Sequence, residues 1–543
     1  MRGADIVVRA LKAAGVERIF TLSGNQIMSV FDACIDSGIE LVHVRHEAAA
    51  VHMADAWGRL TDAPGVALVT AGPGFANTIS ALYVARMAES PMVLLSGDAP
   101  TGLAGRGAFQ EMAQTDMSDP VTKASWTGRD ASRLGYDVAR ALSASSTGIH
   151  GPVHVSLPVD LLESAVEDGD VTTPPDDAFQ HPTPGIGDSA AEAVLGALAA
   201  ARRPLALTGP LMSRGAGRQA AAELARQTGV PVIPMESPRG VNDPSLGAFA
   251  EVLPRADLVL LLGRRLDFGL QLGKALGPDC RVIHLDPDAD AIEQTRRALD
   301  DGPRLVAAET ADPVSAARRL ARLAGGAKSA RTGWYDEVHN AVSYRPPEWR
   351  EIESGRGDGL HPVEVGRAVQ EVLDRADEAV FISDGGEFGQ WAQACVSAPT
   401  RLINGPAGSI GTSVPYALAA RARSPEATVV TMLGDGTMGF HLSEFDTAVR
   451  HGLPFVAVVG NDAAWNAEYQ IQLREYGEDR LWGCELLPSR YDEVVRALGG
   501  HGEYVDAASG LGPALERAVA SGLPACVNVA IGRHAAPVIR RRG

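Results

Sequence analysis

The sequence predicts an α/β protein made of three doubly wound, parallel-sheet domains. Three observations lead there. First, short apolar runs of strand length alternate with helical patterns along the whole chain, the rhythm of parallel sheets covered by helices. VALVT, MVLLSG, PLALTG, LVLLLG, RVIHLD, AVFISD, TVVTML and FVAVVG are the clearest runs. Second, two stretches break this rhythm. Residues 172–185, TTPPDDAFQHPTPG, form a Pro-rich linker, and residues 325–359, with Pro346, Pro347 and several glycines, read as a helix followed by a loop-rich linker. They leave blocks of 1–170, 185–325 and 355–543, each suited to one α/β domain. Third, the outer blocks share a plan of strand, Gly-containing turn, helix, Pro and strand. Gly72 and Gly97 lie 25 positions apart in the first block, and Gly434 and Gly460 lie 26 apart in the third. Such units are common enough that one repeat at this spacing also arises by chance.

Composition bounds the function. The chain has 543 residues, 45% of them hydrophobic and 21% charged, which excludes a disordered chain. Its 67 acidic against 49 basic residues leave a net charge of −18. A general electrostatic grip on nucleic acid or anionic lipid is excluded on that ground. Cys34, Cys280, Cys395, Cys484 and Cys526 are far apart and odd in number, with no CxxC. Neither a disulfide framework nor a structural zinc site is expected, and a reducing cytoplasm fits. The opening MRGADIVVRALKAAGVERIF has the period of an amphipathic helix, not a signal peptide's apolar core. No stretch approaches the ~20 apolar residues of a membrane span. A soluble cytoplasmic enzyme is expected.

The third block carries the first chemical signal. Asp435 sits in LGDG at the carboxyl end of one expected strand, and Asp462 sits in GNDAAW after the next. Neighbouring parallel strands bring their carboxyl ends together, where open α/β sheets bind ligands. Two hard oxygen ligands suit magnesium, which completes its shell with phosphate and water. Thr437 and the amides after Gly436 lie at the start of a helix, where phosphate is favoured. Either motif alone reads more simply as a turn or a cap; the pair at this spacing favours phosphate and a cation.

GDG, then 24 residues, then Asn461-Asp462 resembles the diphosphate-binding signature of thiamine-diphosphate-dependent enzymes, which normally ends in Asn-Asn. The resemblance implies magnesium ligands at Asp435, Asp462 and the carbonyl of Ala464. Asp462 departs from the usual Asn and adds a negative charge beside a diphosphate. GPAGSIGTSVPYALAA resembles the stretch that wedges the cofactor into a bent shape, with Ile410 as the wedge and Gly408 and Ser409 near the aminopyrimidine. One Ile does not separate this from plain core packing. DGGEFGQW lies where relatives contact the diphosphate, making Gly386, Glu387 and Phe388 candidates alongside Gly434, Gly436, Thr437 and Trp465.

In the first block, Glu47 opens an expected helix after LVHV, where a carboxylate commonly serves only the helix dipole. RHEAAA, then AGPGFAN and FQE, resembles the pyrimidine-binding domain of the same family, with Gly72 and Asn77 in its cofactor loop. The resemblance implies that Glu47 hydrogen-bonds the aminopyrimidine and so promotes formation of the thiazolium ylid, with an enamine following cleavage. It covers nearly the whole chain and embraces the acetolactate synthase, benzaldehyde lyase and 2-hydroxyacyl-CoA lyase types, most closely the benzaldehyde lyase type. It implies a homodimer or homotetramer with the cofactor between subunits. The expected activity is carbon–carbon bond cleavage or carboligation on 2-hydroxy ketones, aldehydes or 2-oxo acids. The alternatives are an acetolactate synthase-type reaction on pyruvate and a non-catalytic cofactor-binding paralogue.

On the substrate side, Gln26 replaces the His of the benzaldehyde lyase type, and Gln110 matches a Gln that contacts intermediates in relatives. Phe109, Trp391, Trp465, Glu468 and Tyr469 are further candidates, with core or interface packing as the plainer reading of each aromatic. Lys123 is either near the site entrance or a surface Lys. Asp286 ends RVIHLD, where an adenosine contact belongs. FAD or ADP in the central domain is nonetheless the less expected outcome, because no complete dinucleotide fingerprint appears. The tail with Arg540, Arg541 and Arg542 is expected to be solvated and mobile, with closure over the site as the alternative.

Overall fold

The structure, a computed structural model, describes residues 1–543 except 181, 182, 301, 326–331, 356, 358, 542 and 543. Parts of both expected linkers and Arg542 therefore lie outside the described residues. The opening stretch splits into a helix, Gly3–Ala13, and a strand, Arg18–Thr21, because RIFT pairs with two neighbouring strands.

That strand is β1 (Arg18–Thr21), followed by β2 (Glu40–His43), β3 (Gly65–Val69), β4 (Met92–Asp98), β5 (Ala124–Thr127) and β6 (Pro152–Pro158). They form one parallel sheet in the order β2-β1-β3-β4-β6-β5. The central sheet contains β7 (Pro204–Thr208), β8 (Val232–Pro234), β9 (Leu258–Leu262), β10 (Arg281–Asp286) and β11 (Leu305–Thr310). Its order is β11-β10-β9-β7-β8, also parallel. The third has β12 (Ala379–Ser383), β13 (Thr400–Ile403), β14 (Thr428–Gly434), β15 (Val456–Asn461), β16 (His501–Val505) and β17 (Ala525–Ala530). Its order, β13-β12-β14-β15-β17-β16, reproduces the first sheet strand for strand. The shared plan of the outer blocks thus extends from one unit to a six-stranded topology. The apolar runs named above all lie in these strands, covered on both faces, which is why they read as continuous rather than alternating.

The first and third domains share one apolar core. It runs from Phe20, Met53 and Leu94 to Tyr416, Phe445 and Val459. Helix Glu47–Thr61 supplies one side and helix Ser413–Arg423 the other. A fully buried polar cluster sits between them. Arg59 donates from Nε to Asp55 (2.8 Å), from Nη1 to the Ile403 carbonyl (2.8 Å) and from Nη2 to the Tyr416 hydroxyl (2.8 Å), which itself bonds Asp55. Every member is satisfied, so the cluster fixes how the two domains meet rather than weakening the contact.

Candidate functional site

Strands β14 and β15 are hydrogen-bonded neighbours, with Gly434 opposite Gly460. Asp435 and Asp462 therefore emerge at one sheet edge. Around them lies a cavity of about 310 Å³. Gly386, Glu387, Phe388, Gly408, Ile410, Gly434, Asp435, Gly436, Thr437, Asp462, Ala464 and Trp465 line it, all of them expected from the sequence. Ser409 stands just outside, its carbonyl accepting from Asn404 Nδ2 at 2.7 Å. Glu468 also lines the cavity.

Local chemistry explains the shape. Gly386 opens helix Gly386–Cys395 with φ +77°, a backbone that favours glycine. A side chain at Gly436 would strike the Trp465 ring, 2.6 Å from the added carbon. Gly434 is different: a Cβ there meets no protein atom within 4 Å and φ is −74°. Packing does not require that glycine, and the space beside it suits a close-fitting ligand. Beneath the cavity, buried Asp384 accepts from the amides of Gly385 (2.8 Å), Gly411 (3.1 Å) and Ser413 (2.9 Å), binding two lining loops to the end of β12.

The two carboxylates sit in an unusual state. Asp435 is 1% exposed, and its Oδ2 has no hydrogen-bond partner. Burial pushes its carboxyl up to about 6, against the nearby amides of Gly436, Ala463 and Ala464. Asp462 is pushed up to about 7, by burial first and then by the charge of Asp435. An orphaned acid oxygen beside a second carboxylate fits a divalent cation. Among the described residues no group of three or more His, Cys, Asp or Glu is placed to hold a metal, so a cation here would also need the Ala464 carbonyl, phosphate or water.

These raised values predict opposing pH effects. From the unfolded value of 3.8 up through about 6 and 7, the folded protein binds more protons than the unfolded chain, so the ligand-free protein loses stability as pH rises. A cation held by both carboxylates would need both ionised and would bind more strongly over the same window. Melting curves with and without magnesium and thiamine diphosphate should show a ligand-induced shift that grows from pH 5 to 8. A shift constant with pH would contradict this assignment.

The first-domain candidates are elsewhere. Glu47 begins helix Glu47–Thr61, is 8% exposed and accepts from Asn77 Nδ2 at 2.9 Å. Glu444 of the third domain accepts from the Arg45 amide (3.1 Å), anchoring the turn just before Glu47. Gln26 accepts from the Thr70 hydroxyl at 2.6 Å, and Gln110 packs against Gly72 with φ +60° and an unpartnered Oε1. None of Glu47, Asn77, Gly72, Gln26 and Gln110 lines the cavity around Asp435. One chain thus presents its candidates in two separate places.

Other expectations change. Phe109 is 73% exposed and walls no described cavity. Lys123 is not a free surface Lys: its largely buried ammonium caps a helix end through the carbonyls of Ala144 (2.6 Å) and Thr147, and burial lowers it to about 8. Asp286 is buried at the end of β10, accepting from the Asp288 amide. The tail is docked, not free. Trp391 Nε1 donates to the Ala535 carbonyl (2.9 Å), the Ala536 amide to Glu387 (2.9 Å) and Arg541 to Glu251 (2.8 Å), with Ile539 buried. Arg540 lines a neighbouring cavity of about 770 Å³ that shares Arg239, Glu387 and Gln390 with the first.

Several residues escaped the sequence reading. Arg239 reaches the cavity from the central domain and faces Glu387 at 3.6 Å; nothing local in SPRGVND marks it. Gln390, 2% exposed with an unpartnered Oε1, shares a helix face with Glu387, and that i, i+3 spacing was a usable signal. Gln114 accepts from the Gly72 amide (2.9 Å) and donates to the Gly97 carbonyl and Ser156, supporting the first-domain loop.

Three family models match the chain. Residues 1–117 match the thiamine pyrophosphate enzyme N-terminal TPP binding domain, residues 191–300 its central domain, and residues 384–529 its C-terminal TPP binding domain. A probable acetolactate synthase of Mycobacterium bovis is 36% identical across 97% of this chain and 95% of its own length. The 2-hydroxyacyl-CoA lyase 2 proteins of Caenorhabditis elegans and Homo sapiens are 30% and 31% identical, each across 98% of this chain and 90% of its own. Among the described residues no helix is long and apolar enough to cross a membrane.

Proposed function

Because this chain belongs to the thiamine pyrophosphate enzyme family, and is a thiamine-diphosphate-dependent lyase or transferase, we propose that it uses magnesium and makes or breaks a carbon–carbon bond next to a carbonyl. Its substrates are aldehydes, 2-hydroxy ketones or 2-oxo acids. The observation that carries the reading is the orphaned acid oxygen of Asp435 beside Asp462, in a cavity whose Gly434 leaves room that no protein atom fills.

Asp435, Asp462 and the Ala464 carbonyl would hold the cation. Gly386, Gly434, Gly436 and Thr437 would cradle the diphosphate, and Gly408 to Ile410 would shape the pyrimidine end. Thiamine diphosphate held there would supply a carbon nucleophile and an electron sink for the bond next to the carbonyl. Glu47 would share a proton with the aminopyrimidine, aided by Asn77 and the Gly72 loop. Since Glu47 lies outside the cavity of its own chain, a second copy would complete each site, as a homodimer or homotetramer. Gln26 and Gln110 would face the substrate; a Gln can orient a hydroxyl but cannot relay a proton.

A second reading, decarboxylating transfer on pyruvate of the acetolactate synthase type, is favoured by the similarity to the M. bovis protein over nearly the whole chain. Parallel assays separate the two. Acetoin after acid treatment of a pyruvate reaction supports the second reading, and benzaldehyde released from benzoin supports the first. Failure to bind thiamine diphosphate with magnesium overturns both.

A further inference from the structure

The loop that carries Asp462 is unusually constrained. Ala463 adopts φ +54°, a left-handed conformation costly for a residue with a Cβ. On one side the loop is tied to the segment after it: the Trp465 amide donates to the Cys484 carbonyl (2.8 Å) and the Leu486 amide to the Ala463 carbonyl (2.8 Å). On the other side stands Arg533, three residues beyond β17, the strand paired with β15. Its Nε donates to the Asp462 carbonyl (3.0 Å) and its Nη2 to the Ala463 carbonyl (3.1 Å). The guanidinium also lies over the Tyr469 ring, 4.8 Å from its centre, and meets Glu485 at 3.1 Å.

Charge gives this arrangement its meaning. Asp462 stands beside a second buried carboxylate, Asp435, and within reach of the Arg533 charge. Among the described lining residues Glu387, Asp435, Asp462 and Glu468 are acidic, and Arg239 is the one cation. A diphosphate entering this cavity meets the carboxylate of Asp462 as well as that of Asp435. Arg533 brings a compensating charge from outside the lining. Its own partner Glu485 is 73% exposed against 29% for Arg533, so solvent screens the carboxylate more than the guanidinium.

We propose that Arg533 is the positioning residue of the Asp462 loop: it fixes the loop through two carbonyls and offsets the negative charge of Asp462 beside the diphosphate. This rests on the cavity being the diphosphate site. The arrangement is a matched pair, so its two members should be energetically coupled.

The test is a double-mutant cycle on the full-length protein. Thiamine diphosphate is titrated at saturating magnesium and followed by calorimetry, with the melting temperature of each ligand-free variant as a fold check. Arg533→Gln should weaken binding about tenfold alone, and about twofold or less when combined with Asp462→Asn, a coupling within the usual range for interacting charges. Arg533→Lys, which keeps the charge but not the two-pronged fork, should lose less than Arg533→Gln. Equal losses in both backgrounds, no loss in either, or a Lys variant as weak as the Gln variant would each overturn the proposal. A wild-type protein that binds no thiamine diphosphate would instead overturn the site assignment beneath it, and the two failures are distinct.

Discussion

Glu47→Gln is expected to lower kcat by a factor of about 100 to 1,000 while leaving the fold intact, the range lost with a well-placed proton-transfer group. The substitution is nearly isosteric. Gln keeps an oxygen able to accept from Asn77 Nδ2, now bonded to Glu47 at 2.9 Å. The turn ahead of it stays anchored by Glu444 on the Arg45 amide. What is lost is a carboxylate able to share a proton with a ring nitrogen. Two measurements check this: steady-state turnover, and proton exchange at the thiazolium carbon of bound cofactor. Exchange at the wild-type rate in Glu47→Gln would remove Glu47 from the chemistry. Mixing Glu47→Gln with Asp435→Asn protein extends the test. If sites form between copies, mixed dimers regain an intact half from each partner and recover activity that neither variant has alone.

The second large effect has opposite signs for binding and stability. Asp435→Asn should weaken magnesium-dependent binding of thiamine diphosphate more than about 100-fold, beyond the 10–100-fold typical of losing a mere support of a metal ligand. The ligand-free protein should at the same time become more stable above pH 7, by about 1 kcal/mol, a common gain when a functional residue is removed. The reason is local. Asp435 is buried with an unpartnered oxygen, and its carboxyl is held up to about 6 by burial. Above that pH a buried charge with one oxygen unpartnered is kept out of water, and a neutral amide relieves it. Calorimetry and melting curves at pH 8 read both arms. Unchanged affinity, or affinity indifferent to magnesium, would exclude Asp435 as a ligand.

The cavity around Asp435 was largely legible because its signals are local. GDG and Asn-Asp end two consecutive strands, and such βαβ units place those strands side by side. Gly386 and Gly408 adopt positive φ, where glycine itself is the signal. Arg533, Arg239 and the docked tail were not legible. Arg533 reaches the Asp462 loop only because β17 lies beside β15, a pairing that sets Asn461 against Ala530 from a distant part of the chain. Lys123 misled for a related reason: a cation in sequence looks solvated until a helix end supplies carbonyls for it.

The strands, the three-domain α/β plan, the family and the residues at the ends of β14 and β15 could all be read from the order of amino acids. Periodicity and turn chemistry are properties of a few neighbouring residues and survive in a one-dimensional reading. Three further outcomes came only with the folded chain: which strands became neighbours, which distant arginines met the acidic loop, and that Glu47 stands outside the cavity around Asp435. They depend on long-range packing, through the shared core of the outer domains and the buried Asp55–Arg59–Tyr416 cluster, in which Arg59 reaches Ile403 and Tyr416, hundreds of residues away.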